Sequence, residues 1–312
     1  MTQLQSLSLE GYPLKDTQAL ILFQQLSNLT ALNLSMTNGP MKLVDQLATL
    51  CPQLRELRLC TTPEDVYHYY PLDSAGNKQV FNDYLEMNQT SLFQRLLKGV
   101  GALGQLESLA LTLGYGGEVT STCTKTKVPI VEARSIGSFT QMLLRLRCLK
   151  QLEVMNMPSC LSLHECREFV EALPQLEKLK MHFGSPLNAV DNANSPSKHA
   201  CSHPHLLSWV LSKLSQLNAL ELAGPLNPHS DMFAPFGGSQ SRYNKLRYIN
   251  TVGLQLGSGP RNPVSLSVLQ ENFPELEKLE LQAGWRPFRE DHNLQAWTTL
   301  KRLKIQGKCS LT

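Results

Sequence analysis

His199, Cys201, His203 and His205 place four metal-ligating side chains in one short stretch. Zinc requires three or four such donors converging tetrahedrally, whereas this spacing matches no finger pattern and Pro204 restricts the backbone between them. The stretch therefore reads as a polar loop leading into a helix that carries Leu207, and no metal is assigned. Cys160, His164, Glu165 and Cys166 would offer a thiol, a base and an acid, but Cys166 falls on the apolar face of a helical pattern, where a thiol is inert. Gly114-Tyr115-Gly116-Gly117 lacks both the G-x-G-x-x-G spacing and the lysine of a phosphate loop, so these glycines serve a turn. No catalytic group and no cofactor are expected. A rim-built hydrolase or thiol enzyme would need a nucleophile, a base and an orienting group gathered from separate segments.

The elements that must position any site come from one repeated stretch, Cys51-Pro52-Gln53-Leu54-Arg55-Glu56-Leu57-Arg58-Leu59, a turn followed by Leu-x-x-Leu-x-Leu. Near copies run through Leu29-Leu32-Leu34, Leu106-Leu109-Leu111, Leu176-Leu179-Met181, Leu217-Leu220-Leu222 and Leu276-Leu279-Leu281. Side chains alternate faces along a strand, so Leu57 and Leu59 point one way and Glu56, Arg58 and Cys60 the other. Leu54 turns inward at the bend before the strand. A single strand cannot hide its apolar face alone, and stacking like units in parallel makes the core.

Between the strands the apolar period changes from two to that of a helix. Ala19, Leu22, Phe23 and Leu26 share one face of a helix expected from about Thr17 to Ser27 and capped by Asp16. Leu43, Val44, Leu47 and Leu50 do the same in a helix starting near Pro40 and stopped at Cys51-Pro52. Matching faces follow at Phe93-Leu96-Leu97-Val100, Phe139-Met142-Leu143-Leu146, Cys166-Phe169-Val170-Leu173 and Leu207-Val210-Leu211-Leu214. The last helical apolar residue precedes the first strand leucine by three positions at 26/29, 146/149, 173/176, 214/217 and 273/276. Ten strands are expected, from near Leu4, Leu29, Leu54, Leu106, Leu149, Leu176, Leu217, Leu246, Leu276 and Leu300. The eighth is the poorest match, because Thr251 stands at its third apolar position.

This pattern predicts an α/β solenoid, a single domain over 1–312 of about ten repeats, with a parallel sheet on the concave face and helices on the convex face. Polar, Gly/Pro-bearing insertions near 61–82, 114–128, 184–203 and 224–243 follow strands and should gather on one rim. The alternation assigns Glu56, Arg58, Glu153, Lys178, Lys180, His182, Glu221, Tyr248, Lys278, Glu280, Arg302 and Lys304 to the concave face as partner-binding candidates. There Lys178, Lys180, His182, Arg302 and Lys304 would attract acidic groups, while Glu221 and Glu280 interrupt the field. Two loops offer aromatic anchors: Tyr67, Tyr69 and Tyr70 in one, Trp285 and Phe288 in the other. Trp297 is expected in the core.

The stretch from Cys51 to Leu59 resembles the cysteine-containing leucine-rich repeats of F-box proteins, whose units share a C-P-x-L-x-x-L-x-L core. Leu173-Pro174-Gln175-Leu176 and Phe273-Pro274-Glu275-Leu276 look like the same turn with another apolar residue in place of cysteine. The resemblance implies a ribonuclease-inhibitor-like solenoid that recognises substrates for a ubiquitin ligase, with the ligase machinery reached through an F-box. No F-box precedes Leu4 here, and Tyr12, Thr37, Thr62 and Gly114 stand where such families often carry Asn or Cys. Leu4, Leu7 and Leu9 have no preceding unit, and Leu300, Leu303 and Ile305 have no following helix, so the chain is expected to be a fragment or to dock a further domain at an end.

Composition narrows the function classes. The 29 basic and 26 acidic residues are too balanced to imply nucleic acid. No apolar run is long enough to cross a bilayer and the first residues do not form a signal peptide, so a cytoplasmic or nuclear location without membrane contact is expected. Eight scattered cysteines suit a reducing compartment. The leading expectation is a non-catalytic protein-protein interaction module, specifically the substrate-recognition part of an F-box-like ubiquitin ligase receptor. The alternatives are a scaffold subunit of a larger assembly and an enzyme with a site on the loop rim.

Overall fold

The computed structural model describes residues 3–9, 16–34, 41–60, 96–112, 139–157, 168, 171–183, 211, 213–224, 245–254, 266–282 and 297–306. Two compact units divide the chain, Met1–Leu149 and Lys150–Thr312. In the first, β1 (Ser6–Ser8), β2 (Ala31–Leu34), β3 (Glu56–Cys60) and β4 (Ser108–Thr112) pair parallel in chain order. Their register aligns Leu7, Leu32, Leu57 and Leu109 in one row. The second unit continues the pattern with β5 (Gln151–Met157), β6 (Lys178–Phe183), β7 (Ala219–Gly224), β8 (Tyr248–Leu254), β9 (Lys278–Gln282) and β10 (Arg302–Gln306). Here Leu152, Leu179, Leu220, Ile249, Leu279 and Leu303 form the matching row.

Each strand begins two residues after the leucine that the sequence pattern starts from, because that leucine belongs to the turn. At Leu29, Leu54, Leu106, Leu149, Leu176, Leu217, Leu276 and Leu300 the amide donates to the carbonyl three residues back, at 3.0–3.2 Å. The constant spacing of three is thus a single turn geometry used repeatedly. Within each unit one carbonyl of a turn then accepts two amides from the next repeat. Gln5 accepts those of Thr30 and Ala31, Thr30 those of Arg55 and Glu56, and Glu277 those of Lys301 and Arg302, all at 2.8–3.0 Å. Repeats are thereby locked in register before the strands themselves begin.

The core is the leucine side of the strands against the helical segments. Leu32, Leu57, Leu109, Leu152, Leu179, Leu220 and Leu279 are buried, as are Leu26, Cys51, Leu173 and Phe273 at the turns. Trp297 is buried too, as expected for a core position. In α1 (Asp16–Gln24) the face carrying Ala19 and Phe23 is fully covered, and Ile21 on the other side is 61% exposed. This helix stops short of the expected Ser27, because the amides of Gln25 and Leu26 turn to carbonyls three residues back and tighten the last turn. Val44 and Leu47 of α2 (Met41–Leu50) are buried, while Leu50 is only half-buried because Cys51 takes the inward position. Residues 96–101 and 139–143 are also helical, and α3 (Leu266–Asn272) precedes β9.

The first repeat is less covered than the next: Leu4 is 39% exposed and Leu7 and Leu9 are half-buried, whereas Leu29, Leu32 and Leu34 one repeat on are buried. The eighth strand, the poorest sequence match, is a full seven residues. Alternation after Ile249 turns Thr251 inward, and the pairing with β7 shifts register between Glu221 and Ala223. Thr251 is fully buried, and its hydroxyl donates to the Glu280 carbonyl at 3.4 Å. The hydroxyl thus finds a partner where a leucine would have needed none.

Candidate functional site

The face of the strands opposite the leucines carries the polar residues in ranks set by the register. In the first unit one rank runs Ser6, Ala31, Glu56, Ser108 and the next Ser8, Asn33, Arg58, Ala110. Small side chains dominate, and Asn33 donates to the Ser8 hydroxyl at 3.1 Å. In the second unit the first rank runs Gln151, Lys178, Ala219, Tyr248, Lys278, Arg302. The second runs Glu153, Lys180, Glu221, Asn250, Glu280, Lys304. Every concave-face candidate beyond Glu56 and Arg58 falls in these two ranks except His182, which pairs in register with Ala223.

Ion pairs tie neighbouring strands. Lys180 meets Glu153 at 3.0 Å, and Glu280 is shared by Arg302 at 3.8 Å and Lys304 at 3.6 Å. Three of the cations expected to attract acidic partners are thus already engaged. In the turns just before the strands, Glu277 accepts from Lys301 at 2.9 Å and lies 3.5 Å from Arg247. The hydrogen bond from Lys301 holds the Glu277 carboxyl below the usual carboxylate range, opposed by burial and assisted by the nearby cations. The first unit repeats this cross-turn pair as Arg55 and Glu107, at 2.8 Å.

Over β7–β10 this face and the turns before the strands border an open cleft of about 810 Å³. Tyr248 and Ala219 lie side by side along it, with Lys278, Glu280 and Arg302 beyond. The small side chain of Ala219 leaves one flank of the tyrosine ring uncovered by its rank neighbour. Burial pushes the Tyr248 phenol up, Glu221 and Glu280 add to that, and the Asn250 hydrogen bond and Arg302 oppose it. Asn250 is itself oriented by accepting the Val252 amide at 3.0 Å, which turns its side chain to the tyrosine two residues earlier. The result is a neutral, positioned aromatic ring within a rim of charge.

Of the sequence-predicted residues, the structure brings Tyr248, Lys278, Glu280 and Arg302 together at the cleft. Glu153, Lys178, Lys180, Glu221 and Lys304 flank it on the same face, and Glu56 and Arg58 belong to the first unit. Tyr67, Tyr69, Tyr70, Trp285 and Phe288 lie outside the described residues, as do the His199–His205 stretch, Cys160–Cys166 and Gly114–Gly117. Among the described residues no group of three His, Cys, Asp or Glu could hold a metal, and no helix is long and apolar enough to cross a membrane. Sequence reasoning missed Glu177, Asn218, Arg247 and Glu277, which also line the cleft. Each directly follows the first leucine of its repeat, and a polar residue at that place in repeat after repeat was the signal. Gln216 and Lys245, which hydrogen-bond at 2.6 Å, stand just before that leucine.

Parallel strands in chain order, a leucine core beneath them and a recurring turn define an α/β leucine-rich-repeat solenoid. No family model matches the chain, and no curated protein matches it. Some likeness is found to solved structures, at low identity and low TM-score. An internalin C2 from Listeria monocytogenes is 12% identical with a TM-score of 0.35, over 96% of this chain and 80% of that one. A chain of the Rad7 and Elc1 complex from yeast is 15% identical with a TM-score of 0.37, over 98% and 75%. A structure of the Arabidopsis receptor kinase HAESA with the peptide hormone IDA and the co-receptor SERK1 gives 14% identity and a TM-score of 0.31, over 96% and 53%.

Proposed function

We propose that the chain is a non-catalytic protein-interaction module that captures its partner on the open strand face of residues 150–312. The observation that supports this most is the cleft over β7–β10, where Tyr248 is held by Asn250 and bordered by Ala219 rather than by another large side chain. A positioned aromatic ring beside a gap is the form of an interface anchor, since it adds contact area at low entropy cost. The surrounding lysines, arginines and glutamates supply orientation. The finer reading takes residues 1–312 as one repeat domain in the cytoplasm or nucleus, serving as the substrate-recognition part of an F-box-like ubiquitin ligase receptor. It is supported by the resemblance carried by Cys51-Pro52-Gln53-Leu54, and is tested by whether the protein isolated from its cells carries a cullin-type ligase.

The module reading is tested by selecting binders to the full chain from a displayed library of linear peptides. Tyr248→Ala is expected to weaken the selected binders by about tenfold or more, with an unchanged circular dichroism spectrum and thermal midpoint. Binders that hold Tyr248→Ala as tightly as the parent would remove this face from consideration.

A further inference from the structure

The first rank of the second unit, Gln151, Lys178, Ala219, Tyr248, Lys278 and Arg302, contains cations and no acid. On either side of it most acids are committed. Glu277 serves Lys301 and Arg247, Glu280 serves Arg302 and Lys304, and Glu153 serves Lys180. Lys178 and Lys278, by contrast, form no ion pair among the described residues, and both are exposed. Two ammonium groups without an ion pair among the described residues, of which Lys278 lies near enough to Glu277 to help hold its carboxyl down, therefore stand on opposite sides of Ala219 and Tyr248.

We propose that this face, taken as the interaction surface above, receives an acidic peptide in extended conformation laid across the strands, its carboxylates held by Lys178 and Lys278 and an apolar side chain seated over Ala219 against Tyr248. Lys178 on β6 and Lys278 on β9 are three strand steps apart, about 14 Å at about 4.8 Å per step. An extended peptide advances about 3.4 Å per residue, so carboxylates about four residues apart meet both ammonium groups. Glu177 in the cleft lining and Glu221 in the next rank set the opposing limit, because neither has a cation partner among the described residues. A sparse pattern of acids avoids them, whereas a nucleic acid strand with a charge on every residue would meet both.

The probes are synthetic peptides with two aspartates at that spacing around a leucine, the same peptide with adjacent aspartates, one with lysines for aspartates, and a single-stranded oligonucleotide. The spaced acidic peptide should bind best. Lys178→Glu and Lys278→Glu should each weaken it about tenfold, and Lys98→Glu, on a helical segment of the other unit, should not change it. Glu221→Gln should tighten binding about two- to threefold, a gain that no unfolding could produce. Library binders that are neutral or basic yet lost in Tyr248→Ala would overturn the acidic-peptide proposal and leave the interaction reading standing. Insensitivity of all binders to Tyr248→Ala would overturn both. An oligonucleotide bound as tightly as the spaced peptide would also overturn the proposal.

Discussion

Cys51 is a residue whose value lies in being unreactive. It is fully buried, and its thiol donates to the Leu26 carbonyl, 25 residues earlier, at 3.7 Å, so it stitches one turn to the previous one. Thr299 performs the same task with a hydroxyl, donating to the Pro274 carbonyl at 2.7 Å. Burial pushes the Cys51 thiol up to about 11 from its ordinary 9.0. The folded state therefore keeps its proton where the unfolded chain loses it. The stability this gives is complete below about pH 9 and lost as pH rises from about 9 to about 11, by up to about 3 kcal/mol. Urea denaturation of the parent and of Cys51→Ala across that range checks it: the parent should lose more, so that the gap between the two narrows. At neutral pH, iodoacetamide should modify half-buried Cys148 well before Cys51.

At the scale of the element, each strand is a small edge of core that becomes stable only between neighbours. Leu220 in β7 is fully buried and lies in register between Leu179 and Ile249. Leu220→Ala should cost about 2–5 kcal/mol, the transfer term plus a cavity that two flanking strands prevent from collapsing. Leu4, 39% exposed before β1, should cost less than about 1 kcal/mol when changed to alanine. Urea midpoints of the two variants give the comparison, and equal losses would mean that the first repeat is covered as well as the seventh. The strand leucines and helix faces were legible because burial imposes periods of two and of 3.6 on the chain. The end of α1 was not, because the switch to tighter bonds at Gln25 and Leu26 depends on where the next turn must lie.

For the whole molecule, stability is expected to be distributed by neighbourhood, since each repeat touches chiefly those beside it. Hydrogen exchange should be slower at amides that donate to Thr30 and Glu177 than at those of Thr30 and Ala31, which donate to Gln5 beside exposed Leu4. Equal protection at both places would indicate that β1 is sheltered as fully as the interior strands. The candidate site belongs to this scale as well. Its contributors come from four strands, β7 to β10, and from the turns before β6 to β9, between Glu177 and Arg302, and no local stretch announces it.

The amino-acid order by itself determined the ten repeats, the inward leucines, the turn at every third-residue spacing and which polar residues share a face. All of these follow from the alternation of a strand and the period of a helix, which are local rules. Only tertiary structure decided which of the face residues are already spoken for. Lys180, Arg302 and Lys304 found carboxylates on adjacent strands, while among the described residues Lys178 and Lys278 form no ion pair, and Ala219 came to lie beside Tyr248. Pairing across strands depends on register between segments 24 or more residues apart, and that register is set by packing rather than by any residue's neighbours in sequence.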